Sequence, residues 1–529
     1  MGRKKRNGWA VAGRLLVCGW GLIAAPSAAS SPAGASSPAA EALQRAVALV
    51  QDGKLDQAAI QAQTAMADRD ARPVACSVLG TIRIRQQRYD DAAGLLEEAI
   101  RLEPRLLGAH LSLAEVYTLR QQADRALPLY RRVLKLDAGN VQARLALARA
   151  EVDGGRHDAA LKLAEPVMPA LKASPEGLLV LAAAWAHTGS RDALAGLAND
   201  WLRLADVPQE WSLAFAARLA GGGAADEALW ILERVREQGS PSYELAFNLA
   251  GVHLMRGDFA RALDAYDAAI SLKPESLDAL RQAAALAERQ GELERSLSYW
   301  IRAKKLTPDD PEILLGFGRI CLKMDLLDDA EPALTRAAEL KPDDIPYQYA
   351  LATTKLGKRQ HDEARRLIER LVERHPDDAV LQYALGAVLY TQGHMPDAEA
   401  RLRESLRLKA DQVGSQFYLA LVVRDQGREA EATAMLQQLL QRHPDHAPAH
   451  EALGTLLVTA RRYEEAEMNL RSAVRLDPES VRANYQLGLV LGRLGKKDEA
   501  DRQLAYAKTL READEASSRL QMRLLDPEQ

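Results

Sequence analysis

Hydrophobic and polar positions recur in phase along this chain. One apolar stretch ends "AAISLKPES" at Ala268–Ser276, and the phrase returns as "SAVRLDPES" at Ser472–Ser480. Between them stand "RAKKLTPDD" (302–310) and "RAAELKPDD" (336–344). Ser276 and Ser480 are 204 residues apart, six times 34. Written in rows of 34 from Ala39, the chain fills fourteen rows without a gap and ends them at Asp514. The eighth column is Ala or Gly in all fourteen rows, and the twentieth is Ala in twelve, with Leu194 and Ser296 as exceptions. The seventh is apolar in thirteen rows, Gly fills the fifteenth in nine, and Pro the thirty-second in seven. Small residues at columns eight and twenty let two helices approach, and Leu at column seven fills the space beside that contact. Gly at column fifteen suits a helix end that turns left-handed. Pro at column thirty-two closes a second helix, because the residue before it avoids the helical region. Each row is therefore predicted to be a helix, a tight turn, a second helix and a short loop, and a fixed period outranks length as a guide to architecture.

Composition adds little to this picture at the centre and more at the N-terminus. The 529 residues are 47% hydrophobic but only 5% aromatic. Arg3, Lys4, Lys5, Arg6 and Arg14 precede the apolar run "LLVCGWGLIAA" (15–25) and the small residues "PSAAS". That order predicts a secretory signal over residues 1–29, cut after Ala29, with an uncleaved inner-membrane anchor as the alternative. A flexible linker is expected over 30–38. Removal of 1–29 takes five basic residues and no acid, leaving 64 basic against 73 acidic residues and a net charge of −9. A mildly acidic chain has no electrostatic footprint for nucleic acid.

The row "APAHEALGTLLVTARRYEEAEMNLRSAVRLDPES" (447–480) carries small–Leu–Gly, Tyr–x–x–Ala and Asp–Pro in register. It resembles the tetratricopeptide repeat, and the resemblance covers rows 39–72, 73–106, 107–140, 141–174, 175–208, 209–242, 243–276, 277–310, 311–344, 345–378, 379–412, 413–446, 447–480 and 481–514. The resemblance implies an all-α solenoid, a right-handed superhelix of helix-turn-helix units with a concave groove. Residues 515–529 read as a capping helix and tail, which a solenoid needs to cover its last apolar face. Rows between Val141 and Ser242 are the most degenerate, and any bend is expected there. Cys76 and Cys321 lie seven rows apart and cannot meet within one stack, so both are read as buried thiols.

No phosphate loop, paired Cys-x-x-Cys or forced carboxylate pocket is present, so no catalytic residue and no cofactor is expected. His443, His446 and His450 form a weak metal candidate; the bland reading is a loop residue, since His375 stands in the same "HPD" setting as His443. Columns two, five, six, nine and twelve would line the groove if the resemblance holds. They carry Phe247, Asn248, Tyr349, Tyr383, Tyr390, Phe417, Tyr418 and Tyr485. Rings with one polar edge suit a bound peptide or a sugar face, although Tyr at column five is also common in such repeats. These residues imply a non-enzymatic scaffold holding one or more proteins or peptides. The resemblance suggests the Gram-negative envelope: polysaccharide export, pilus or outer-membrane assembly. A polysaccharide-binding protein and an anchored regulatory subunit are the rivals. Neither the oligomeric state nor the partner is specified.

Overall fold

The computed structural model describes residues 37–525, with side-chain surroundings up to Glu512. The expected signal over 1–29 lies outside the described residues, as does most of the linker; the first helix already begins at Pro38, capped by the Ser37 hydroxyl. Among the described residues there is no strand. Helices follow one another in pairs, from Pro38–Gln51 with Leu55–Ala65 to Val481–Arg493 with Lys497–Leu525. Among the described residues no helix is long and apolar enough to cross a membrane. The chain divides into two compact units, up to Leu286 and from Ala287 onward.

Four columns explain why this sequence folds as repeated hairpins. The turn between paired helices needs a left-handed residue, and column fifteen supplies it throughout. Gly53, Gly155, Gly189, Gly223, Gly257, Gly291, Gly393, Gly427 and Gly495 have positive φ there, and so do Gln87, Gln121, Asp325, Arg359 and Arg461. The backbone requirement is thus universal, while glycine merely satisfies it most easily. Column eight sets the interhelical distance. A Cβ on Gly386 would lie 2.6 Å from Leu402 Cγ of the paired helix. Column twenty explains its own exception: Leu194 fits because Gly222 of the next hairpin leaves room, a Cβ at Gly222 lying 2.5 Å from Leu194 Cδ1. Column four does something the sequence did not announce. In several hairpins its side chain binds the carbonyl six residues back: His110 to Pro104, Arg144 to Ala138, Gln382 to Pro376, Gln416 to Ala410, His450 to Pro444 and Asn484 to Pro478. A loop carbonyl left without a helical partner is satisfied each time.

The degenerate rows contain a break. In row four the second helix runs only His157–Ala164, passes through a short 3₁₀ turn at Glu165–Val167, and resumes as Met168–Lys172. Pro166 and Pro169 lack the amide protons that would continue the ladder. The tight return packs Leu171 backbone against Gly177, where a Cβ would lie 2.2 Å from the Leu171 carbonyl oxygen. The terminal cap takes a different form from that expected. Residues beyond Glu515 continue the helix that starts at Lys497 rather than forming a separate one. Row fourteen has Glu512 where seven other rows carry Pro, so no proline stands in the way of that continuation. Cys76 and Cys321 are unpaired and fully buried. Burial raises the Cys76 thiol and pushes Cys321 up to about 12, leaving both protonated.

Candidate functional site

Within the unit beginning at Ala287, first helices of successive hairpins touch. Pro311–Lys323 meets Ile345–Gly357, Ala379–Thr391 meets Val413–Asp425, and Ala447–Thr459 meets Val481–Arg493. Second helices instead bridge to the following first helix. The first helices thus form one layer of the stack, and this layer carries the aromatic candidates.

Four of those candidates form one group. The Tyr418 ring is met edge-on by Tyr383 at 5.8 Å, Tyr390 at 5.8 Å and Phe417 at 5.6 Å between centroids. Their positions follow from register: columns five and twelve of one first helix face columns five and six of the next. Gly414 allows the approach, since a Cβ there would lie 2.7 Å from the Tyr383 ring. All four rings are half-buried, resting on the core beneath with an edge toward solvent. Phe417 also packs on His446 at 5.1 Å.

Polar edges complete the group. Tyr390 Oη donates to Asp425 Oδ2 at 2.8 Å, Arg424 Nε donates to Asp425 Oδ1 at 2.7 Å, and Arg424 Nη2 donates to Tyr390 Oη at 3.2 Å. Burial works to raise the Asp425 carboxyl, but the bonds from Arg424 and Tyr390 outweigh it and hold it low. Burial, then the bond to Asp425, raises the Tyr390 phenol. Burial, assisted by Tyr418 and Tyr349, pushes Tyr383 up to about 12. Tyr349 is likewise raised by burial and by Asp378. These phenols stay neutral and can donate hydrogen bonds. The arrangement offers contact area and a few oriented polar edges, with no activated nucleophile.

The other candidates stand apart. Tyr485 is 49% exposed in the last hairpin, outside the four-ring group. Phe247 and Asn248 belong to the unit ending at Leu286. Phe247 packs against Tyr243 at 5.6 Å and Tyr266 at 5.7 Å within its own hairpin, and Asn248 is buried. The three histidines do not converge. His450 is the column-four residue of its hairpin, binding the Pro444 carbonyl at 2.9 Å and Asn469 Oδ1 at 3.0 Å. His446 caps the following helix, its Nδ1 accepting from the Ala449 amide at 3.0 Å. Among the described residues no three His, Cys, Asp or Glu side chains are placed to hold a metal ion.

Comparison with known proteins places the repeat. Tetratricopeptide repeat models match residues 78–141, 213–276, 281–345, 349–413 and 451–516, and a second such model matches 118–184 and 423–467. The chain therefore belongs to the tetratricopeptide repeat family, whose members are generally protein-interaction scaffolds. No curated protein sequence matches it. Among solved structures it is similar to the anaphase-promoting-complex assembly Cut9-Hcn1, at 16% identity and TM-score 0.39, covering 90% of this chain and 94% of that one. It is similar to yeast Tom70 at 14% identity and TM-score 0.37, covering 90% and 96%. A tetratricopeptide repeat protein from Parabacteroides merdae matches at 17% identity and TM-score 0.40, covering 47% of this chain and 98% of that one.

Proposed function

We propose that this chain is a non-enzymatic scaffold that holds a protein segment on the inner face of its second unit. The observation that carries the reading is the contiguous group Tyr383, Tyr390, Phe417 and Tyr418, half-exposed on a layer of touching helices. Edge-to-face packing surrounds Tyr418 with other rings instead of leaving it as an open flat platform. That favours peptide side chains and backbone over sugar rings as the ligand. Tyr349, on the same layer, extends the surface toward the preceding hairpin, and Tyr485 supplies a separate exposed ring. We place this scaffold in the bacterial envelope, to which the basic, apolar, small-residue order of residues 1–29 would deliver it, and where polysaccharide export, pilus assembly or outer-membrane assembly would supply the partner.

The test is crosslinking in the native envelope followed by affinity capture. Wild-type chain should retain one or a few proteins. Tyr383→Ala/Tyr390→Ala/Phe417→Ala should release them while the far-ultraviolet circular dichroism stays unchanged. Capture that is equal for both chains would overturn the site, and a fluorescence response to soluble oligosaccharide alone would replace the peptide with a sugar.

A further inference from the structure

One junction between hairpins is built unlike the others. The twenty-fifth column lies on the second helix, and it is polar or charged in rows one to seven and nine to thirteen. In row eight it is Ile301, which is 51% exposed. Three residues on, column twenty-eight is mostly apolar, yet row eight has Lys304. Apolar and charged positions have exchanged places on this one helix, Leu293–Leu306. An exposed isoleucine beside a lysine drawn inward costs solvation twice, so a packing reason should exist.

The reason is a cleft of about 480 Å³ between this helix and the next hairpin. Leu297 and Ile301 form one wall, Phe317 and Cys321 the floor, and Leu326 the far side, with Lys304, Lys305 and Asp329 at the margins. The Lys304 ammonium lies over the Phe317 ring at 4.2 Å. Among the described residues neither Lys304 nor Lys305 makes an ion pair. Two hairpins later the equivalent positions line a smaller cleft, about 340 Å³, with a polar wall. There Arg365 and Glu369 replace Leu297 and Ile301, joined by a 2.7 Å hydrogen bond from Arg365 Nε to Glu369 Oε1. The row-eight cleft has an apolar wall where that one is polar, and it keeps Phe317 on its floor beside two cations that have no ion-pair partner.

We propose that this cleft binds a small amphiphile, an alkyl or aryl chain ending in a carboxylate, with the chain on Phe317 and Leu297 and the head group at Lys304 and Lys305. Its volume falls in the ordinary range for small-molecule sites, ~300–1,000 Å³. An anion would complete two cations that have no ion-pair partner. Asp329 on the opposite margin directs the head group to the lysine end, because a carboxylate beside it would be repelled. The site is separate from the aromatic inner face and does not rest on that reading.

Laurate titrated calorimetrically into the full chain is the test. Saturable binding at one site per chain is expected, weakened about tenfold by Lys304→Ala with Lys305→Ala and weakened by added salt. Leu297→Arg with Ile301→Glu, a strap variant carrying the intrahelical pair seen at Arg365 and Glu369, makes the apolar wall polar and should abolish binding while leaving helicity intact. Dodecanol should bind more weakly than laurate to wild type and equally to the lysine variant. Absence of saturable laurate binding overturns the site. Binding that survives the strap variant places the ligand elsewhere and overturns it equally, and dodecanol matching laurate overturns the role of the lysines. If the strap variant does not fold, the lysine variant and the dodecanol comparison still decide.

Discussion

Between Ala59 and Leu263 the twenty-first position of every hairpin is Ala or Leu; between Glu331 and Asp501 it is polar or charged in every hairpin. The first set belongs to the unit ending at Leu286 and the second to the unit after it. In the first, Ala59 and Leu263 are buried, and neighbouring hairpins adhere there through apolar contact. In the second, Glu331 takes Lys355 at 2.6 Å and Lys358 of the next hairpin at 2.5 Å. Glu399 takes Gln426 at 2.9 Å and Arg428 at 3.1 Å, and Glu467 takes Lys496 at 2.6 Å. One hairpin design is thus glued in two ways. A repeat fixes the backbone, while the contact between repeats is free to be oily or ionic, because stability in a solenoid is a sum over neighbours. The row-eight cleft sits at the changeover, where Leu297 is the last apolar residue of the series.

The contrast can be broken most forcefully at the apolar end. Leu263→Ala should cost about 3 kcal/mol, read as a lowered denaturant midpoint for the first unit, and the loss should be the same in low and high salt. Glu399→Gln should cost about 2 kcal/mol in the second unit, and that loss should shrink in high salt. Equal salt dependence for the two variants would erase the distinction.

Acid sharpens the same point. Burial alone would raise the Glu399 carboxyl, but hydrogen bonds from Arg403, Gln426 and Arg428 outweigh it and hold it at about 2, against 4.5 when unperturbed. A depressed folded pKa stabilises above the unfolded value and is lost as pH falls through the folded one. The second unit should therefore weaken from about pH 4.5 down toward about 2. Amide exchange in Ala379–Thr391 and Val413–Asp425 should quicken over that window, whereas Glu399→Gln should flatten the response. The smallest effect should ignore the contrast altogether. Gln87→Gly in one unit and Arg461→Gly in the other relieve a left-handed backbone of the same kind, with φ near 60° and 59° in turn. Each should gain about 1 kcal/mol, measured as a raised midpoint, and a gain in only one unit would show that the turns differ.

Much of the fold was legible because its signals are local and repeated. Ala and Gly at column eight, Gly at column fifteen and Pro at column thirty-two each act on the residues beside them, and repetition averages out exceptions such as Leu194. The break in row four was signalled by Pro166 and Pro169, within rows whose other columns are also degenerate. The aromatic candidates were legible as a list. Which of them meet was not, because that depends on neighbouring first helices touching and on Gly414 leaving room for Tyr383. Spacing along the chain brings three histidines close, while register assigns His446 to a cap and His450 to a carbonyl. Ile301 was visible as the break in a polar column, but the cleft beside it depends on Phe317 and Leu326 of the next hairpin.

By itself the sequence determined the hairpin, its period and its turns, since each is settled by backbone torsions and side-chain volumes within 34 residues. Tertiary structure alone decided which rings share a surface, which carboxylates act as straps and where a strap is missing. Those outcomes depend on distances between side chains in different hairpins, and such distances are set by how hairpins stack rather than by how any one of them folds.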